Sequence, residues 1–387
     1  MKPLKLKQSI VLMAGISTLV LHSATNNALA EHIHNRPDSH APIGVMGDHL
    51  MDKGEWMTTY RFMNMRMDGM RSGTDDVTSD ELAVMPNALG GESMRMGNLP
   101  DGSPRIMTVP GTYRVAPLEM DMRMHMLGLM YGVSHDVTAM VMFNYIEKEM
   151  RMQTYQGMMG TDVVGRFTGE TSGIGDTKVA ALIRLGGEGM HNFHINTGVS
   201  LPTGSITESG SVLPPFAGMM GTASDERVEI DRLPYSMQLG SGTVDLMPGF
   251  TYTARDSDTS WGGQFMATLR LYDNKEDYRF GNIFEATAWV AQQWQPWVST
   301  SARVSAKSEG GIKGRDTVIT GGNPLSDPAN YGRDEVDLLL GVNFLGTDGW
   351  VKDQRLALEV GAPVYENVDG VQMSKDWTVT LGWQTTF

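Results

Sequence analysis

Residues 118–130 read LEMDMRMHMLGLM, and Met120, Met122, Met124 and Met126 alternate there with Glu119, Asp121, Arg123 and His125. A repeat of two belongs to a strand with unlike faces, because successive strand side chains point to opposite sides. On a helix the same letters would scatter charge and methionine around the axis. One face of this strand therefore meets something apolar and the other something polar. The rest of the chain must say whether the apolar side is a core, a bilayer or a row of thioether ligands.

The N-terminus reads as an export address. Lys2, Lys5 and Lys7 precede the apolar stretch IVLMAGISTLVL (10–21), and Ala28-Leu29-Ala30 gives a small-x-small cleavage pattern before Glu31. The chain contains no cysteine, which excludes disulfides and thiolate metal sites. Its net charge of −14 offers no basic stripe for phosphates, so nucleic acid is not expected as a partner. Forty-five glycines and few helix-period runs point to an all-β chain rich in turns. After the leader no apolar stretch is long enough to span a bilayer as a helix, but a closed barrel spans with alternating strands instead.

Twelve period-two segments are legible, near 55–68, 115–133, 136–152, 174–186, 191–203, 235–254, 260–272, 281–294, 297–308, 332–345, 354–364 and 376–387. Most are longer than strands of soluble sheets. Pro248 marks an irregularity in the 235–254 segment. The connections alternate between long (69–114, 153–173, 204–234, 309–331) and short (Ser134-His135, 186–189, 256–258, Gln295-Pro296), as in outer-membrane barrels. Trp56, Trp261, Trp294 and Trp297 sit beside short connections and Trp350 within one, as expected of an interfacial aromatic girdle. The final strand, WTVTLGWQTTF, sets Trp377, Val379, Leu381, Trp383 and Phe387 on one face. A terminal phenylalanine closing such a strand resembles the signal read by the barrel-assembly machinery, an expected partner through Phe387.

These features predict an all-β, transmembrane antiparallel β-barrel of about 12 strands, set in outer-membrane lipid of a Gram-negative bacterium. The expected organisation is a signal peptide (1–30), a His-containing periplasmic tail (31–53) and the barrel (54–387). In that frame the four methionines are expected to face lipid and Glu119, Asp121, Arg123 and His125 the lumen, since a midplane Arg or Lys facing lipid costs about 2–4 kcal/mol. Alternation likewise assigns His194, Asn196 and Arg303 to the lumen.

The phrases SGIGDTKVAALIRL (172–185), FHINTGVSLPTGS (193–205) and LALEVGAPVYENVDGVQMSKDWTVTLGWQTTF (356–387), with the leader, resemble a family of bacterial outer-membrane barrels catalogued as a putative MetA pathway of phenol degradation. The resemblance covers about the latter two thirds of the chain, and the methionine-rich first third looks like a distinct subgroup. It implies an outer-membrane location and passage of small molecules, aromatic ones among them. It supplies no catalytic residues.

Of thirty-one methionines, twenty-two fall between Met46 and Met159. Thioethers are soft ligands that select Cu(I), but methionine is also a flexible apolar filler. Alternate side chains on one lipid-facing strand could not converge on an ion, which favours filler for the opening four. Met140 and Met142, opposite in parity to Val141 and Phe143, and the loop methionines (Met85, Met94, Met96, Met107, Met158 and Met159) leave the metal reading open. The segment EHIHNRPDSHAPIGVMGDHLMDK adds His32, His34, His40 and His49 with Met46 and Met51, a set suited to copper. No nucleophile elbow, metal-protease or phosphate-loop motif is present, so no enzyme is expected.

The expected function is passive passage or binding of small solutes, aromatic or amphipathic, without a resident cofactor. The alternative is a copper or soft-metal-binding barrel using the N-terminal histidines and loop methionines. A barrel without an open lumen is expected if the 69–114 and 204–234 connections fold inward.

Overall fold

The computed structural model describes residues 36–98, 101–187, 190–219 and 225–387. The barrel strands are β1 (Trp56–Gly73), β2 (Val115–Ser134), β3 (Val137–Tyr155), β4 (Val163–Ile174), β5 (Thr177–Gly186), β6 (His191–Leu201), β7 (Asp245–Arg255), β8 (Thr259–Arg270), β9 (Ile283–Gln295), β10 (Val298–Glu309), β11 (Arg333–Leu345) and β12 (Gln354–Thr386). All except β4 follow one another around a closed antiparallel ring of eleven, with β12 pairing back onto β1. A closed ring of strictly antiparallel neighbours needs an even number. The 33-residue β12 supplies the twelfth member by folding back near Gly370, whose φ is 66°. Its first half (355–368) pairs with β11 and its second (368–386) with β1. Glu366 accepts from the Lys375 amide and the Ser374 hydroxyl across the fold-back.

The expected 153–173 loop and the gap between the expected 354–364 and 376–387 segments are strand instead. The 153–173 stretch is mostly β3 and β4, leaving 156–162 as the connection, and the 365–375 stretch is the fold-back of β12. The 235–254 segment starts its strand only at Asp245, after a short 3₁₀ turn at Tyr235–Met237. At Pro248 the ladder to β8 skips Met247 and Pro248 without changing register, as a residue lacking an N–H requires.

The outer surface carries the expected apolar band: Leu127, Ile195, Phe250, Phe265, Val290, Val304, Leu340 and Leu358 are all exposed. Trp56, Trp261, Trp294, Trp297 and Trp350 are exposed at the short-turn rim. Phe387 closes the ring there, exchanging both backbone hydrogen bonds with Trp56 at 2.9 Å. No helix among the described residues is long and apolar enough to cross a membrane.

The wall is uneven in height. Strands β1 to β3 run 18 to 20 residues, whereas β7 to β11 run 11 to 13. The tall side projects beyond an apolar band about 25 Å high, and this height decides the phase of the opening strand. Met120, Met126 and Met130 are buried inside, with Met122 and Met124 on the same face. Glu119, Asp121, Arg123 and His125 point outward, in phase with the exposed Leu127 and Val133. The expectation is therefore reversed. Val133 to His125 covers about 20 Å of tilted strand, roughly the lipid band. The charges lie at and above its outer edge, where water rather than acyl chain meets them.

There they form a cross-strand ladder. Arg66 of β1 pairs with Glu119 and, at 2.6 Å, with Asp121; Glu119 pairs with Arg151 of β3 at 2.7 Å, and Arg123 approaches Glu149 at 3.9 Å. Tyr60 is hydrogen-bonded to His125 at 2.8 Å. Partly exposed pairs of this kind contribute at most about 1 kcal/mol each.

Candidate binding cavity and plugged lumen

Inward methionines meet across strands. Register sets Met67 beside Met120 and Met120 beside Met150, Met65 beside Met122, Met63 beside Met124, and Met57 beside Met130, which faces Met140. Directly opposed residues have Cβ atoms about 4.5–5.5 Å apart, so these thioethers form rows rather than isolated fillers. Toward the outer end Met70, Met120, Met150, Met152, Met237 and Met373 pack in one buried cluster with Tyr155 and Phe167. At the inner end Met51, Met57 and Met130 pack with Leu182.

Above these rows lies a cavity of about 520 Å³. Met150, Met152 and Phe167 form its wall, Met94, Met96, Met107 and Met158 descend from the loops, and Leu213, Met219 and Met237 come from the 202–244 connection. Arg105, Asn323 and Ser326 are among its few polar lining groups. The inner face of β4 makes room by alternating glycine with larger residues. A Cβ on Gly165 would meet Leu213 at 3.1 Å, and one on Gly169 would meet Met152 at 3.0 Å. The roof interlocks three connections: Arg95 pairs with Asp231 at 3.1 Å, Arg315 with Glu92 at 2.6 Å, and the Asn87 side chain donates to the Gly321 carbonyl at 3.0 Å. Arg114, fully buried, donates to Gly160 O at 2.8 Å and to Ala83 O.

One seam of the wall lacks a ladder. Among the described residues β4 pairs only with β3, because β6 stops at Leu201, opposite Thr177 of β5. Segment 236–241 covers the vacant edge through side chains. The Thr171 hydroxyl donates to Met237 O at 2.9 Å, Lys148 donates to Ser236 O at 2.8 Å, and the Ser241 amide and hydroxyl both donate to Asp176 at 2.8 Å. Met237 and Phe167 thus belong to both cavity and seam.

The lumen below is filled. Residues 36–52, expected as a periplasmic tail, run inside the barrel and bond to its wall nearly all the way round. Met51 N donates to Thr138 of β3 (2.8 Å), His194 of β6 donates to Gly47 O (2.9 Å), and Ser260 and Gln264 of β8 donate to Asp38 O and Met46 O (2.7 and 2.9 Å). Ser299 of β10 donates to Pro37 O, and Arg355 of β12 to Ala41 O. Gly44 N donates to Glu359, which holds Arg303 in a two-pronged pair at 2.7 and 3.0 Å.

This geometry places each residue singled out in the sequence. His194, Asn196 and Arg303 lie on the inner face, buried around the plug rather than lining open water. Glu119, Asp121, Arg123 and His125 lie outside, as described. His40 and His49 come together around Asp48 within the plug, with their ligand atoms inside 4.8 Å. Burial, with the neighbouring His49 charge, holds the His40 imidazole down at about 3, so it is neutral at physiological pH. Met51 packs away from them against Met57 and Met130, and the Met46 carbonyl accepts from Gln264 of β8. His32, His34 and the leader lie outside the described residues. Met159 is exposed, and Met85 packs beneath the roof. Sequence reading missed Lys148, Asp176, Arg355 and Glu359; the plug and the seam that give them partners carry no local signature.

No family model matches the sequence, and no curated protein matches it. Solved structures do. An outer-membrane channel from Pseudomonas putida F1 aligns over 89% of this chain and 99% of its own at a TM-score of 0.52 and 10% identity. A FadL homologue from Pseudomonas aeruginosa aligns over 87% and 90% (TM-score 0.40, 10% identity), and the toluene transporter TodX of P. putida over 87% and 91% (TM-score 0.43, 8% identity). The first likeness shows a shared outer-membrane barrel fold; the other two are too distant to carry argument.

Proposed function

We propose that this protein resides in the outer membrane and passes small apolar or amphipathic solutes through the methionine-lined cavity. The carrying observation is that cavity: about 520 Å³, bordered by loops and lined almost wholly by thioether, aromatic and aliphatic groups. Its size and lining suit a ligand of one or two rings, held by area rather than by hydrogen bonds. Methionine adapts to varied shapes and makes favourable contacts with aromatic edges, so a row of it tolerates a class of guests. A straight path inward meets the plug, whereas the ladder-free edge of β4 borders the cavity. The reading therefore includes exit at that seam, where parting the wall breaks side-chain contacts and no strand ladder. The test is equilibrium binding of naphthalene-sized fluorescent probes to the purified barrel, with Met150→Trp/Met237→Trp filling the cavity. Micromolar binding lost in that variant supports the proposal; equal binding by both would defeat it.

A second reading is favoured by one observation, the convergence of loop Met94, Met96, Met107 and Met158 with strand Met150 and Met152 on one space. Such thioethers suit Cu(I) or Ag(I). Competition titration with Ag(I), and Met-to-Leu replacement at these positions, separates it from the first.

A further inference from the structure

The plug holds a cluster that neither reading uses. Asp48 is buried between two imidazoles: Oδ1 lies 3.0 Å from His49 Nδ1, and Oδ2 lies 3.7 Å from His40 Nδ1. Oδ2 also accepts from the Ala41 amide at 2.8 Å, fixing the carboxylate. At 3.7 Å the His40 contact is too long for a hydrogen bond. His40 is only 9% exposed, and its Nδ1 has no hydrogen-bond partner. A buried ring nitrogen without a partner costs free energy unless something else binds it. The two rings meet edge to face with centroids 4.4 Å apart.

We propose that His40, Asp48 and His49 form a site for one borderline divalent ion of the Zn(II) or Cu(II) class, which clips the plug shut. Two imidazoles and a carboxylate are a common three-ligand set, leaving a fourth position for water. Ligand atoms already within 4.8 Å of one another need small ring rotations to reach the 2.0–2.2 Å bonds such ions require. A cavity of about 290 Å³ adjoins both histidines and reaches Arg184, Met190 and Asn192 at the short-turn rim, giving an ion a route from the periplasmic side. The charged and titratable groups around the cluster are Arg355 and Arg61, which oppose a cation, and Asp38, Asp52, Arg184, His194 and Arg255 in the adjoining cavity. Soft thioethers are absent from the ligand set, so this site and the methionine cavity would select different metals. Closing the ring from residue 40 to residue 49 at one ion fixes the plug backbone that Gly44, Met46 and Gly47 dock onto the wall.

The test uses the full chain, purified in detergent, in an H32A/H34A background so that upstream histidines contribute nothing. Co(II) and Zn(II) are titrated separately, with Co(II) absorption reporting geometry. The expected result is one equivalent bound with a tetrahedral Co(II) spectrum. Binding should weaken more than about 100-fold in His40→Gln and in His49→Gln, beyond the 10–100-fold cost of losing an outer-shell partner. Asp48→Asn serves as the third variant, and the heat-modified gel shift verifies that each barrel is folded. Binding unchanged in both histidine variants, or no binding by the parent, overturns the proposal. Neither result bears on the cavity's taste for apolar solutes.

Discussion

The two halves of the inner wall differ in kind. Along β10 to β12 it presents Ser299, Ser301, Arg303, Asn343, Arg355 and Glu359, all buried and nearly all bonded to the plug or to each other. Along β1 to β3 it presents methionines at most inward positions, interrupted by Thr59, Arg61, Gly128, Asn144, Ile146 and Lys148. A wall of charge-assisted hydrogen bonds fixes one partner in one geometry, whereas a wall of thioethers accommodates changing ones. The polar half reads as the plug's mounting and the methionine half as the guest's surface.

Breaking the mounting should have the largest effect. Glu359→Gln leaves Arg303 buried without its counter-charge and weakens the bond to Gly44; a stability loss of about 3–5 kcal/mol is expected, seen in the melting midpoint. Single-barrel conductance should rise in the same variant as the plug loosens. Unchanged melting and conductance would mean that the polar half does not hold the plug.

Replacing Met120, Met150 and Met152 with leucine sharpens the other half. Near-isosteric exchange should cost less than about 1.5 kcal/mol per site and leave apolar probe binding within about threefold. Ag(I) binding should weaken only in part, because Met94, Met96, Met107 and Met158 remain. Loss of probe binding with the fold intact would show that sulfur, not apolar area, does the recognition.

Acidification should loosen the plug. The folded His40 pKa, about 3, lies below the ordinary 6.5, so the docked plug binds fewer protons than a released one. Its stability is full above pH 6.5 and is lost as pH falls through the window from 6.5 toward 3. Asp48, held well below its usual range by the adjacent imidazoles, stays charged across that window. Conductance should therefore rise on acidification toward pH 4, and His40→Asn should flatten the response.

The smallest effect is expected on the outer ladder. Arg66→Ala removes its pairs with Glu119 and Asp121 yet should cost no more than about 1 kcal/mol, less at high salt.

The barrel was legible because period-two patterning, loop alternation and the aromatic rim each follow from a bilayer's demands on strands. Phase on β2 was not, because charge was assumed to mean lumen. The corrective signal was present: Leu127, Leu129, Tyr131 and Val133 share parity with His125 and Arg123, and a 20-residue strand is too long to lie wholly in lipid. The inward methionine rows were partly foreshadowed by Met140 and Met142, whose parity opposes their apolar neighbours. The plug was illegible because residues 36–52 carry no periodicity; backbone carbonyls such as Pro37 and Gly47 dock them as much as side chains do.

The phase of β2 is the central claim, and the absence of native cysteine makes it directly measurable. Single cysteines at positions 124, 126, 127 and 129 would carry spin labels in a bilayer, read for collision with oxygen, which concentrates in lipid. The account predicts high oxygen accessibility at 127 and 129, with labels at 124 and 126 shielded from it. High lipid accessibility at 124 and 126 would contradict it, returning the methionines of β2 to the membrane.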